Sequence, residues 1–173
     1  MEARARPPQL ILLPVRPAFI VVTLALALAL NLLPWSGVWI LLKTDFVALA
    51  VLYWCVDQPR RVGFFTAWTL GLVMDVANGA LFGQHALAYS VLAFAAIVLH
   101  RRIQSFPMKH QFWHVLALLL LNQLIVLGLR LANGAQFPGI AYFFPALLGA
   151  ILWAPLCALM RTPRIPKSDP DQI

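Results

Sequence analysis

The sequence contains few residues that could perform acid–base chemistry, and only one acidic side chain falls inside an apolar stretch. The six acidic residues are Glu2, Asp45, Asp57, Asp75, Asp169 and Asp171. Asp75 alone lies within a predicted membrane span, where a charge is costly enough to need a specific reason. Because no second carboxylate accompanies it in the spans, the sequence lacks the paired acids that general acid–base catalysis commonly uses.

The histidines and serines do not supply a catalytic or metal-binding set either. The four histidines are His85, His100, His110 and His114. His110 and His114 are four residues apart and could share a helix face, but no acidic residue lies beside them to complete a metal site. Ser90 and Ser105 lack the neighbouring base that a nucleophilic serine needs. The sequence therefore predicts a protein that is not an enzyme and has no metal site and no cofactor.

A second group of polar residues lies in a later apolar stretch, which carries Asn122, Gln123 and Arg130. Gln123 and Arg130 are seven residues apart and so lie on nearly one helix face. Amides within a bilayer usually hydrogen-bond a neighbouring helix, which contributes about 0.6 kcal/mol on average. We predict an intramembrane polar network of Asp75, His85, Asn122, Gln123 and Arg130, in which His85 or Arg130 holds the Asp75 carboxylate. The alternative is that these five residues line a ligand cavity.

Small residues recur at intervals of four around Asp75, and side chains four residues apart stack on one helix face. Small side chains let two membrane helices approach closely. The stretch therefore predicts a helix-packing or interaction face, formed by Gly63, Ala67, Gly71, Asp75, Gly79 and Gly83. The other interpretation is that small residues are merely common in membrane helices and that Asp75 ends a helix near water.

The composition is that of a membrane protein. Hydrophobic residues make up 62% of the 173 and charged residues 11%, whereas a soluble domain carries about 25% charged residues. The net charge of +7 could suggest nucleic-acid binding, but the basic residues are scattered between apolar stretches. We interpret them as topology signals in a lipid bilayer and predict no nucleic-acid partner.

Six apolar stretches predict an all-α bundle of six transmembrane helices, at residues 18–33, 46–56, 62–76, 81–99, 112–131 and 140–160. The turns include Asn78-Gly79 and Asn133-Gly134, and residues 100–111 are predicted to form a basic loop. If both termini are cytosolic, only Lys43 and Arg130 of the thirteen basic residues fall outside the cytosolic segments. This asymmetry follows the positive-inside rule. The predicted organisation is a cytosolic lead at 1–16, a six-span domain at 17–160 and a disordered cytosolic tail at 161–173.

The residues around Asp75 resemble the rod shape-determining protein MreD family. The resemblance depends on the segments 71–75 and 86–87, with Gly79 and Gly83 between them. It is supported by the segments 45–46, 53–54 and 59–63, while the C-terminal half contributes only its hydropathy.

This resemblance implies a non-enzymatic subunit of the cell-elongation complex in the bacterial inner membrane, which helps organise lateral peptidoglycan synthesis. The implied partners are MreC, the filament protein MreB, the glycosyltransferase RodA and its penicillin-binding transpeptidase. The six-helix arrangement also resembles the substrate-binding subunits of energy-coupling-factor transporters, which keeps a small-molecule binding function open. In those subunits an Ala-xxx-Ala pair docks the coupling partner, and Ala25 and Ala29 form such a pair here.

Overall fold

The computed structural model describes residues 15–35, 43–80 and 82–162. Every regular element in these ranges is helical, which confirms the all-α fold class. The elements are α1 (Pro17–Leu32), α2 (Phe46–Asp57), α3 (Phe64–Ala77), α4 (Gln84–Ser105), α5 (Met108–Ala132), a 3-10 helix (Ile140–Phe143) and α6 (Phe144–Arg161). Most of the predicted N-terminal lead and nearly all of the predicted tail lie outside the described residues.

Three of the helical segments are long and apolar enough to cross a membrane. They are α4 with 22 residues, α5 with 25, and the continuous segment Ile140–Arg161 with 22. The helices α1, α2 and α3 are apolar but have 16, 12 and 14 residues, fewer than the roughly 20 that a straight span needs. The number of six spans therefore stays a prediction.

The helix α2 lies at the centre of the fold. All its residues from 47 to 56 are buried, and it packs against α1, α4, α5 and α6. The Trp54 indole donates a hydrogen bond to Thr23 Oγ1 of α1 at 2.9 Å, and the Tyr53 ring packs 6.0 Å from that of Trp153 in α6. Because protein surrounds this helix, its short length exposes no unpaired backbone groups to lipid.

The predicted basic loop at 100–111 is wrong. The helix α4 continues to Ser105 and α5 begins at Met108, so that only Phe106 and Pro107 connect them. Arginine and glutamine favour helices, and a cation such as Arg102 is stabilised in the last turn by the helix dipole. The chain leaves the helical conformation at Phe106 because a following proline disfavours it there.

The outward faces of the helices are apolar. Large, exposed hydrophobic side chains occur on every helix except α2, among them Val22, Phe65, Phe94, Trp113, Ile151 and Leu159. Soluble proteins rarely expose such extensive apolar surfaces to water. The helices therefore present these side chains to the hydrocarbon of a bilayer.

Candidate functional site

Asp75 lies in the last turn of α3, is fully buried, and binds the N-terminus of α4. Its Oδ2 atom accepts hydrogen bonds from the backbone N–H groups of Gly83 at 2.9 Å and Ala86 at 3.3 Å. Its Oδ1 atom accepts one from the backbone N–H of His85 at 2.8 Å. The carboxylate of one helix thus caps the start of the next.

This arrangement has a local cause in the sequence. The first N–H groups of a helix have no partner within the helix, and a side chain at the N-cap position usually supplies one. In α4 that position is Gly83, which has no side chain. Asp75 provides the oxygen atoms instead, and the positive end of the α4 dipole stabilises its negative charge.

The His85 ring also contacts the carboxylate. Its Nδ1 atom lies 2.8 Å from Asp75 Oδ1. Since an ionised carboxylate only accepts hydrogen bonds, we assign the ring proton to Nδ1. Of the two partners predicted for Asp75, His85 is therefore the one in contact, and no hydrogen bond or ion pair joins Asp75 to Arg130 among the described residues.

α3 and α4 approach each other closely at Gly71, one turn before Asp75. A Cβ atom added to Gly71 would lie 2.4 Å from the Cα of Ala86 and 2.6 Å from the carbonyl oxygen of His85. Ala67, a turn earlier, is fully buried, whereas Gly63 leaves 3.8 Å between an added Cβ and Ile97. These contacts lie on the face that the four-residue spacing predicted.

Gly79 and Gly83 do not belong to this packing face, so the prediction is wrong for them. Because α3 ends at Ala77, both lie in the turn before α4. They have φ angles of +58° and +95°, and a Cβ added to either would meet nothing within 4 Å. A positive φ favours glycine, so these two residues are required by the turn. Gly134 has a φ of +82°, and it forms the other predicted Asn-Gly turn.

Asp45 is a second, partly buried acceptor, and it was not among the site residues predicted from the sequence. Its carboxylate caps α2 by accepting from Ala48 N at 3.0 Å. It also accepts from Asn31 Nδ2 of α1 at 3.0 Å and from the Tyr89 hydroxyl of α4 at 2.9 Å. Asn122 Nδ2 of α5 lies 3.5 Å away. Asp45 thus joins four helices, and its position before an apolar helix, typical of an N-cap, could have indicated the local part of this role.

A polar cavity of about 450 Å³ opens beside Asp45, at the end of the bundle where α2 and α4 begin. We call it the Asp45 cavity. Its walls come from five α-helices, the 3-10 helix and the segment before α2, and include Lys43, Asp45, His85, Tyr89, Asn122, Gln123 and Arg130. Four of the five predicted network residues therefore line one cavity, and the fifth, Asp75, contacts its wall through His85.

The interior of the Asp45 cavity contains hydrogen-bond acceptors without partners. Asn122 is 2% exposed, and neither its Oδ1 atom nor the Oε1 atom of Gln123 has a hydrogen-bond partner in the described part of the chain. Lys43 and Arg130 are exposed cations that also line the cavity. The cavity can therefore accept N–H or O–H donors inside and attract negative charge with these cations.

Within residues 15–35, 43–80 and 82–162, no group of three or more histidine, cysteine or acidic side chains could hold a metal ion. The Asp75–His85 pair resembles the base half of a catalytic triad, but Asp75 is occupied by the backbone of α4. The arrangement is suited to holding helices together and to binding a polar group.

Two comparisons with known proteins point to the same family. The family model for the rod shape-determining protein MreD matches residues 15–162. The curated rod shape-determining protein MreD of Haemophilus influenzae is 26% identical over 140 residues, which cover 79% of this chain and 84% of that protein. No solved structure gives a significant match. The chain therefore belongs to the MreD family of rod shape-determining proteins.

Proposed function

We propose that this protein is a non-enzymatic, multi-pass subunit of the cell-elongation complex in the bacterial inner membrane. Membership of the MreD family implies a role in determining rod shape and an association with the rod-shape complex. In our proposal the subunit helps organise lateral peptidoglycan synthesis together with MreC, MreB, RodA and its penicillin-binding transpeptidase. The matched family and the matched relative are both described as rod shape-determining, so the small-molecule alternative gains no support.

We further propose that all six α-helices span the membrane, with both termini in the cytosol. The basic residues support this topology, because Arg60, Arg61, Arg101 and Arg102 lie at the end of the bundle opposite the Asp45 cavity. Local bilayer thinning and snorkelling flanking residues allow the shorter helices to cross. The Asp45 cavity then opens on the outer side of the membrane.

Reporter fusions test this topology. Fusions after Arg61 and Phe106 should report the cytosol, and fusions near Asn78 and Asn133 should report the outer side. A cytosolic signal near Asn133 would remove α5 or α6 as a span and contradict the proposal. Replacing Arg60 and Arg61 by glutamate should lower the amount of inserted protein, since the positive charges keep this turn in the cytosol.

The observation that best supports a docking role is the pair of unpaired acceptors in the Asp45 cavity. A buried polar atom without a hydrogen bond costs about 1–3 kcal/mol, and a bound partner that donates N–H or O–H groups would remove this cost. The cavity that Asn122 and Gln123 line is open to the surface rather than enclosed, which favours a protein segment. We propose that the cavity receives the outer, membrane-proximal part of a partner subunit, and MreC is the first candidate to test.

Depletion and complementation test the proposed function. Depleting the protein in a rod-shaped host should make the cells round, and the wild-type gene should restore rods. The double variant Asn122→Ala/Gln123→Ala should restore rods poorly and co-purify with less MreC, because it removes both acceptors. Gln136→Ala is the matched control, since Gln136 is exposed outside the cavity. Cells that keep their rod shape on depletion would contradict the function itself.

A further inference from the structure

A second cavity, of about 350 Å³, lies on the lateral surface of the bundle between α3 and α4. We call it the α3–α4 groove. Its lining is mostly apolar and includes Phe64, Trp68, Ala86, Ser90, Val91 and Phe94. It shares no lining residue with the Asp45 cavity, and so it is a separate feature of the surface.

The shape of the groove suits a helix. Ala86 and Ser90 are one turn apart on α4 and nearly fully buried, so they form a floor of small side chains. Phe64 and Trp68 of α3 and Phe94 of α4 are between 44% and 65% exposed and form the walls. Small residues in a floor of this kind let another helix approach closely. From Gly83 to Phe94 the groove follows α4 for about 16 Å, which is more than half of a ~30 Å hydrocarbon core.

Ser90 is the residue that identifies the class of occupant. It is 2% exposed, and its Oγ atom has no hydrogen-bond partner among the residues that the structure describes. A serine within a helix usually hydrogen-bonds the preceding turn or a neighbouring helix. The acyl chain of a lipid has no donor or acceptor, so lipid in the groove would leave this hydroxyl unsatisfied in hydrocarbon.

We propose that the α3–α4 groove binds one transmembrane helix of a partner membrane protein, with a small or hydroxyl-bearing residue opposite Ser90. At that close approach, a backbone carbonyl or a hydroxyl of the partner reaches Ser90 Oγ, while its apolar side chains pack between Trp68 and Phe94. This interaction goes beyond the docking proposed for the Asp45 cavity, and it does not depend on it.

Site-specific photo-crosslinking in the membranes of a rod-shaped host tests the proposal. A photoreactive phenylalanine analogue replaces Val91 in the groove of the full-length chain. The matched control replaces Val98, which is 63% exposed, lies two turns further along α4 and does not line the groove. Val91 should give a protein adduct whose crosslinked peptide maps to a transmembrane segment of the partner, and Val98 should not. Adducts with lipid alone, or with a second copy of this chain, would overturn the proposal.

Variants of the groove then test the role of the hydroxyl. Ser90→Ala keeps the shape and should lower the yield of the Val91 adduct about threefold, the factor that corresponds to about 0.6 kcal/mol. Ser90→Thr retains the hydroxyl and should retain most of the yield. Leu87→Trp, at a half-exposed position of the groove, should abolish the adduct by filling the groove without disturbing the core.

Equal yields from the wild type, Ser90→Ala and Leu87→Trp would overturn the proposal. Each variant is compared at equal amounts of protein in the membrane, and Leu87→Trp provides the test if changes at Ser90 impair folding. Gln136→Ala should leave the Val91 adduct unchanged, because Gln136 is exposed and lines neither cavity. The depletion phenotype tests the proposed function without reference to the adduct, so a failure of the groove proposal is distinguished from a failure of that function.

Discussion

Replacing Gly71 by alanine tests whether the close contact between α3 and α4 holds Asp75 in place. The new Cβ atom would lie 2.4 Å from Ala86 Cα, whereas ordinary van der Waals contact begins at 3.4 Å. The two backbones must therefore separate by about 1 Å, because all three nearest atoms belong to the backbone of α4. Overpacking of this kind typically costs about 1–3 kcal/mol.

The same separation should weaken the cap one turn further along. The Asp75–His85 N distance of 2.8 Å would increase towards 3.8 Å, beyond the range of a hydrogen bond. In thermal unfolding of the purified protein, each kcal/mol corresponds to roughly 2–4 °C for a domain of this size. We therefore expect Gly71→Ala to unfold at a clearly lower temperature than the wild type.

Gly128→Ala is the matched control, because Gly128 lies inside α5 and an added Cβ meets nothing within 4 Å. Alanine within a helix is more favourable than glycine by roughly 0.5–1 kcal/mol, so this variant should be as stable as the wild type or more stable. Adding Ala86→Gly to Gly71→Ala should not restore stability, since the clash is with backbone atoms. Equal melting temperatures for Gly71→Ala and Gly128→Ala would refute the reasoning.

Two further predictions concern the carboxylates of Asp75 and Asp45. Asp75→Ala should lower the free energy of unfolding by at least about 2 kcal/mol, because it leaves three N–H groups of α4 without an acceptor. In double-variant cycles its effect should be non-additive with that of His85→Ala and additive with that of Arg130→Ala. Coupling to Arg130 instead of His85 would contradict the observed pairing. Tyr89→Phe removes a hydrogen bond to the Asp45 carboxylate and should lower the free energy of unfolding by about 1.5–3 kcal/mol. Tyr142→Phe is the control and should cost less, because the Tyr142 hydroxyl lies 3.5 Å from its acceptor. Similar melting temperatures for these two variants would rule out a stabilising role for the Tyr89 bond.

The site predicted around Asp75 was incomplete because nearly every residue has a backbone N–H group, so the sequence does not indicate which of these groups will be donors. The cost of a charge in an apolar helix shows that Asp75 needs a hydrogen-bond donor. The donors predicted from the sequence were the side chains of His85 and Arg130. Most of the donors are main-chain N–H groups, which lack a local side-chain cap because the N-cap residue of α4 is the glycine Gly83. His85 could be named in advance as a candidate, but choosing it over Arg130 required the relative positions of α4 and α5.

Asp45 shows the same limit over longer distances. Its cap on Ala48 is a local contact, three residues away. Its other partners, Asn31, Tyr89 and Asn122, are 14, 44 and 77 residues distant along the chain. No periodicity relates such positions, so the convergence of four helices on one carboxylate could not be predicted.

The sequence by itself determined the properties that depend on composition and on neighbouring residues. Its apolar content indicates helices in a bilayer, and its Asn-Gly pairs indicate turns with a positive φ at the glycine. The spacing of Ala67 and Gly71 indicates which face of α3 carries small side chains. Only the tertiary structure decided what that face meets, which buried acceptors stay unpaired, and where the cavity and the groove open. Those outcomes depend on how helices distant in sequence pack, and packing is set by the fit of all their side chains together.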